Sequence, residues 1–200
     1  MPDLLKLRYE AKKQPDAYKQ DVLAQLRAFD ARLELFKMNP EQEDVQFIEL
    51  TNFLSQVAKY YPEDLGDFPQ RVLDLLIDNS QSLQQDVRID LFKCINLLFN
   101  GGMLKLVDPG AESDNLTKLF SLLALHDKQV RAGVQNLLLK QIPKQATDNS
   151  IINTFQTFVN SSSCSSLLQI KLLEILNELF YQQLLKSDNQ SKRVVNIFAD

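Results

Sequence analysis

Glycine and cysteine are scarce in this 200-residue chain, and tryptophan is absent. The 5 glycines form neither a Gly-x-Gly-x-x-Gly nor a Gly-x-x-x-x-Gly-Lys sequence, so the sequence predicts no dinucleotide or phosphate loop. Cys94 and Cys164 are too few for a disulfide framework and are not spaced as metal ligands, and the first residues lack a signal-peptide pattern. We therefore expect a reducing compartment. The lack of a long uninterrupted apolar run predicts no membrane span.

Reactive side chains are also rare. His126 is the only histidine, so a histidine zinc site is not predicted, and a Ser or Cys triad would have to use this one side chain. We expect a structural role for His126 at a helix junction. Cys94 precedes Ile95 on an apolar face and is expected in the core. The sequence predicts no enzyme, no cofactor and no small-molecule substrate.

What the chain does have is leucine at helical spacing. Its 44% apolar and 24% charged content exclude disorder as the main description. Apolar residues recur every three to four positions, as at Val22, Leu26, Phe29, Leu33 and Phe36, and do not alternate with polar ones. This pattern predicts an all-α fold.

A similar unit recurs three times. Val45, Val87 and Val130 each follow an Asp or Gln, precede a Gln or Arg, and open an apolar helical stretch. The valines are 42 and 43 positions apart, and HEAT or armadillo units repeat every 40 to 47 residues or so. The sequence therefore predicts a HEAT/armadillo-like α-solenoid of about four to five helix pairs, a class of fold that more often binds than catalyses.

Breaks in the apolar pattern predict the helix boundaries. The expected helices are 4–13, 16–37, 43–60, 69–78, from 83 or 84 to 100, from 115, from 128 to the Pro143 stop, 151–159 and 167–185. Gly101-Gly102 should supply a left-handed closing residue, and Asp114 should cap the helix that it precedes.

Three further features are predicted locally. Asp127 and Arg131 are four residues apart and could form a surface ion pair. Residues 144–149 should be a polar linker, and the serine-rich loop 161–166 should cap the last long helix. That helix carries two apolar faces, so we expect partners on both sides. Because the helical pattern continues to Asp200 without a closing Gly or Pro, we expect one N-terminal solenoid segment, 1–200, cut from a longer chain.

The net charge of -4 is unevenly distributed. Residues 1–40 hold 8 Lys and Arg against 6 Asp and Glu, residues 41–92 hold 3 against 11, and residues 93–200 hold 11 against 9. The acidic middle would repel a phosphate backbone and suits a basic protein partner, so any contact with RNA should come from the flanks.

The candidate contact residues are basic. Arg88 and Arg131 are at equivalent repeat positions, where they either bond between repeats to acids such as Asp86 or Asp127, or contact a ligand on the concave face. The pairs Lys140 with Lys144, and Lys192 with Arg193, are either solvated or contact ribosomal RNA phosphates.

Five phrases of the sequence are distinctive and span nearly the whole chain. They are Tyr18 to Phe36 with Lys37, Phe53 to Val57, Tyr61 to Leu65 with Phe68-Pro69, His126-Asp127-Lys128 with Val130-Arg131, and Lys192 to Ile197. In content and order they resemble the opening of the severe-depolymerisation-of-actin family of eukaryotic ribosome-assembly factors. Residues 101–115 and 144–149 match less well.

This resemblance implies a nuclear and nucleolar protein that binds precursors of the large (60S) ribosomal subunit and supports their maturation and nuclear export. The implied partners are assembly factors, ribosomal proteins and, through the basic flanks, rRNA, with no membrane and no catalytic residue. The alternative is a helical adaptor in nuclear protein transport or in actin cytoskeleton organisation, because the fold alone does not select among these functions.

Overall fold

The computed structural model describes residues 3–42, 44–107, 114–145, 150–161 and 164–181. Within these ranges the regular structure is helical, with no strand. The helices are α1 (Leu4–Lys13), α2 (Pro15–Met38), α3 (Val45–Val57), α4 (Phe68–Asp78), α5 (Gln85–Asn100), α6 (Asn115–Leu122), α7 (Lys128–Gln145), α8 (Ser150–Val159) and α9 (Ser166–Tyr181). A 3₁₀ turn, Ala58–Tyr60, follows α3. The all-α prediction is confirmed.

Successive helices pack in pairs, α2 with α3, α4 with α5, α6 with α7, and α8 with α9, and α1 packs on α2 and α3. This pairing is what a HEAT-like repeat requires. The chain divides into two compact units, Met1–Leu104 and Lys105–Asp200. The expectation of one truncated N-terminal segment stays a prediction.

A cluster of phenylalanine rings forms the centre of the first unit. Phe29 lies 5.4 Å from Phe47 and 5.0 Å from Phe68, and Phe36 lies 4.6 Å from Phe47, measured between ring centroids. All four rings are buried, and they join α2, α3 and α4. Each large ring removes substantial apolar area from water, so these positions dominate the packing of the unit.

The second unit is built in the same way around α7, which contacts both α6 and α9. The ring of Phe120 on α6 meets Phe155 and Phe158 on α8 at centroid distances of 4.6 and 5.1 Å. Leu172, Ile175 and other residues along one side of α9 are buried.

The predicted repeat is present, but in its first member the buried position lies two residues after the valine. Val87 and Val130 are buried at the third position of α5 and α7, whereas Val45 is the first residue of α3 and is 57% exposed. Phe47 occupies the third position of α3 and is buried. The equivalent core positions are therefore Phe47, Val87 and Val130. Burial here follows a residue's position along its helix, and not whether that residue is a valine.

Helix caps account for several of the boundaries. The Asp44 carboxylate accepts from the Phe47 backbone N–H at 3.0 Å, and the Asp127 carboxylate accepts from those of Gln129 and Val130 at 3.1 and 3.4 Å. Each satisfies donors that the first turn leaves without helical partners. The predicted cap in the serine-rich loop is confirmed at Ser165, whose hydroxyl accepts from the backbone N–H of Leu168.

Asp114 was wrongly predicted as a side-chain cap. It precedes α6 but makes no cap hydrogen bond, and its carboxylate accepts from the Thr154 hydroxyl at 3.3 Å instead. Two other hydrogen bonds hold the start of α6. The Asn115 amide donates to the Lys105 carbonyl, and the Leu116 N–H donates to the Leu106 carbonyl. Tertiary bonds here replace the local cap.

Pro143 was also wrongly predicted to stop α7, which continues to Gln145. A proline lacks an N–H and crowds the carbonyl four residues before it, which usually kinks or ends a helix. The Gln145 amide oxygen accepts from the Leu106 N–H at 2.8 Å and so holds this end in place. Residues 144 and 145 of the predicted linker are therefore helical, and 146–149 lie outside the described residues.

The described part of α9 buries one of its two predicted apolar faces and part of the other. Leu168, Leu172, Ile175 and Leu179 are buried on the first face. On the second face Leu176 is buried, whereas Ile170 and Phe180 are 53% and 39% exposed. Within the described ranges α9 contacts α7 and α8, and the expectation of partners on both sides stays a prediction. The predicted end of this helix at Leu185 lies outside the described residues.

Candidate interaction surfaces

Arg88 and Arg131 occupy the fourth positions of α5 and α7 and are directed toward the turn that enters their own helix. The Arg88 guanidinium donates to the Ser80 carbonyl at 3.3 Å and also to the Leu83 carbonyl, and that of Arg131 donates to the Leu125 carbonyl. The structure thus brings both arginines onto backbone carbonyls, a partner that sequence reasoning missed when it considered acidic side chains and a ligand. Their role as ligand contacts stays a prediction.

The missed signal lies in the repeat itself. A cation in the first turn of each helix can satisfy carbonyls of the turn before that helix, whatever the side chains of that turn. Asp86 is exposed in the first turn of α5, and Asp127 caps α7 as described above.

Lys140 and Lys144 are both exposed, four residues apart on one face of α7. Side chains at this spacing are neighbours, so the two ammonium groups form a compact basic pair. Leu137, Leu138 and Ile142, on the other side of the helix, are buried. Lys192 and Arg193 lie outside the described residues, and their contact role stays a prediction.

His126 and Cys94, the two side chains considered for chemistry, lie in different environments. His126 is exposed in the turn between α6 and α7. Cys94 is buried on α5, and that burial raises the pKa of its thiol to about 12 in spite of a hydrogen bond with Ser55. A thiol with so high a pKa is protonated at neutral pH and is a poor nucleophile.

The residues in the described ranges bear on metal binding and on membrane insertion. No group of three or more His, Cys, Asp or Glu side chains there could hold a metal ion. None of the helices in those ranges is both long and apolar enough to cross a bilayer.

An apolar patch lies at the turn between α2 and α3. Leu35, Met38 and Val45 are 63%, 75% and 57% exposed and line one open hollow of about 400 Å³. Clustered exposed apolar side chains commonly mark a contact surface. The helical spacing does not predict this patch, because its side chains come from two helices, α2 and α3.

Paired helices with cores shared between neighbours define a HEAT-repeat protein. The family model described as "SDA1, HEAT repeat" matches residues 53–200. The chain therefore belongs to the SDA1 family, and the resemblance found in the sequence is confirmed.

Relatives from distant eukaryotes agree with this assignment. "Protein SDA1 homolog" of Dictyostelium discoideum is 30% identical over 190 residues, covering 91% of this chain and 24% of the relative. The homolog of Nematostella vectensis is 28% identical, over 82% of this chain and 24% of its own length. "Protein sda1" of Schizosaccharomyces pombe is 26% identical, over 80% and 22%. The chain thus spans about a quarter of the length of these relatives.

Proposed function

We propose that this chain is a non-catalytic scaffold in the biogenesis of the large ribosomal subunit. It binds precursor particles in the nucleolus and nucleus and supports their maturation and export. Membership of the SDA1 family, matched over 53–200, is the observation that carries this proposal, together with the role that the family resemblance implies.

The surfaces of the described residues support a binding role. The hollows in these surfaces are open to solvent and are lined by amides, charged groups and apolar side chains. The thiol of Cys94, whose pKa burial raises to about 12, lies in the core. A HEAT-repeat framework presents such surfaces in fixed register to several partners.

The distribution of charge supports different partners for different parts of the chain. The acidic segment 41–92 suits the basic surfaces of ribosomal proteins, whereas the exposed Lys140–Lys144 pair suits phosphate. The same pair also complements the negative end of the α7 dipole, so its RNA contact needs a direct test.

The experiment for the whole proposal is sedimentation of the tagged protein through a gradient after gentle lysis. We expect it to travel with particles that contain precursor rRNA of the large subunit. Migration as free protein, or with transport receptors or actin, would overturn the proposal in favour of the adaptor alternative.

A finer experiment tests RNA contact on α7. The double variant Lys140→Glu/Lys144→Glu should weaken rRNA crosslinking and reduce the slope of log affinity against log salt by about 2, one for each lost phosphate contact. Lys128→Glu is the matched control, because Lys128 is exposed at the other end of the same helix. Equal crosslinking by the wild type and the double variant would remove the pair from the contact surface.

A further inference from the structure

Two open hollows lie along α3, which contacts α1 and α5. The first, about 380 Å³, is lined by α1 and α3, with Leu5, Arg8, Asn52 and Phe53 among its residues. The second, about 500 Å³, lies where the C-terminal parts of α1, α3 and α5 meet. Gln56 lines both hollows, so they form one surface, which we call the α3 groove.

The α3 groove is lined with side-chain amides. The Gln56 amide oxygen accepts from the Arg8 guanidinium at 2.6 Å, and its NH₂ group donates to the Asn52 amide oxygen at 2.5 Å. On α5 the Asn100 amide donates to that of Asn96 at 3.3 Å. An amide presents both donors and acceptors, which is the combination that an extended peptide backbone also presents.

Apolar surface lies between these amides. Phe53 forms a buried floor in the first hollow, where Leu5 is 69% exposed, and Leu97 is 41% exposed in the second. Concave sites of this kind bind chains that combine apolar side chains with regularly placed polar groups.

Charge gives the α3 groove a direction. Asp3 and Glu49 lie at the end near the start of α3, whereas Lys12 and Lys59 lie at the other end. Arg8 lies between them and donates to the Gln56 amide oxygen. Lys59 is exposed, with its ammonium group 4.9 Å from the centre of the Tyr60 ring. Glu49 and Lys59 are ten positions apart, which corresponds to about 15 Å of helix and to about five residues of extended chain.

We propose that the α3 groove binds an extended polypeptide segment of a partner protein. The segment places a basic side chain against Glu49, an acidic one about five residues away against Lys59, and an apolar one between them over Phe53. Its backbone bonds to the amides of Asn52, Gln56 and Asn100. A single-stranded RNA fits less well, because its phosphates would approach Asp3 and Glu49. The inference does not depend on the ribosomal role.

The test selects peptides on the immobilised 200-residue chain from a displayed library of random peptides, each about twelve residues long so that five extended residues have flanks. We expect enriched sequences with a basic and an acidic residue about five positions apart and an apolar residue between them. A selection with no enrichment over bare support, or with no such charge spacing, would overturn the proposal.

Variants then locate the bound peptide. For a peptide synthesised from the enriched set, Gln56→Ala should weaken binding about tenfold, the equivalent of 1.4 kcal/mol. Gln20→Ala, an exposed amide on α2, should leave it unchanged. Circular dichroism checks that both variants are folded. Equal weakening by the two variants, or by neither, would place the peptide elsewhere.

Charge reversal at Lys59 tests the proposed charge preference directly. Lys59→Glu should invert the selection at that end, so that basic residues replace acidic ones, whereas Lys37→Glu on α2 should not. Because both lysines are exposed, the folded state should tolerate either change. A fluorescent oligouridine is measured in parallel. Saturable binding of this RNA that Lys59→Glu abolishes, with no peptide enrichment, would overturn the peptide proposal in favour of RNA.

Discussion

At the scale of single residues, the arginines of the two repeats, Arg88 and Arg131, donate to backbone carbonyls of the turns before their helices. A guanidinium offers five donors in a planar fork, and a lysine ammonium does not reproduce that geometry. The two positions therefore require arginine for the turn, whether or not a partner also contacts them.

Arg88→Lys tests this requirement. We expect the free energy of unfolding to fall by about 1 kcal/mol, since a partly exposed charge-assisted hydrogen bond is lost while the charge remains. Arg27→Lys, at an exposed position of α2, is the control and should change little. Urea denaturation of both variants provides the measurement, and equal stability of the two would show that the carbonyl contacts contribute nothing.

Cys94 gives a prediction for alkaline pH. Its folded pKa is about 12 because of burial, whereas an unfolded thiol ionises near 9.0. Between these values the unfolded state binds fewer protons than the folded state, so stability is full below about pH 9 and falls as pH rises, by about 1.4 kcal/mol per pH unit.

The measurement is the free energy of unfolding from urea curves between about pH 8 and pH 10.5, under reducing conditions. Cys94→Ala should lower stability throughout, because it leaves a cavity, and should flatten the loss above about pH 9. Cys164→Ala should keep the steep loss of the wild type. An unchanged slope in Cys94→Ala would contradict the buried thiol as its cause.

At the scale of helices, the end of α5 was predictable from sequence and the end of α7 was not. Gly102 has a φ of 74°, and the N–H groups of Gly102 and Met103 donate to the carbonyls of Phe99 and Leu98, which closes the helix in a Schellman motif. Such a cap is local, so two adjacent glycines reveal it. The extension of α7 past Pro143 depends on Gln145 meeting Leu106, a contact that no local pattern contains.

Gly102→Ala should destabilise the chain by about 1 kcal/mol, because an alanine pays a steric penalty in the left-handed region. No atom lies within 4 Å of the Cβ that the substitution adds, so backbone strain is the whole cause. Gly102→Asn should lose less, since asparagine tolerates this region better. Thermal or urea unfolding distinguishes them, and a larger loss for Asn than for Ala would contradict the strain account.

The same contrast explains what sequence reasoning found of the candidate surfaces. Periodicity located the helices and the exposed Lys140–Lys144 pair, because exposure follows the helical repeat. It missed the α3 groove and the Leu35–Met38–Val45 patch, because each combines side chains from different helices. The two-residue difference between Val45 and Phe47 is a related case, because the similarity of three tripeptides does not show which residue of each helix is buried.

At the scale of the whole molecule, two compact units each contain their own core. The ring cluster of Phe29, Phe36, Phe47 and Phe68 belongs entirely to the first unit. Clustered rings of this kind belong to one core and are expected to unfold as one cooperative unit.

A fragment of residues 1–104 should therefore fold alone. We expect a helical circular dichroism spectrum and one cooperative urea transition, with a slope of about 1 to 2 kcal/mol per molar for a chain of this size. Phe47→Asp in the same fragment is the control and should abolish the transition, because it buries an unpaired charge in the ring cluster. A wild-type fragment that unfolds without cooperativity would contradict an independent core.

The arginine contacts also bear on how these turns can change over evolutionary time. Since every residue type carries the same main-chain oxygen, substitution of a turn residue leaves its acceptor in place. Leu83 and Leu125 are also buried, so their positions call for apolar side chains. An insertion or deletion between acceptor and arginine would instead move the oxygen relative to the guanidinium. The exposed positions of these turns should therefore drift in composition while the turns keep their length, which would hide the repeat from comparisons of residue identity and leave its spacing intact.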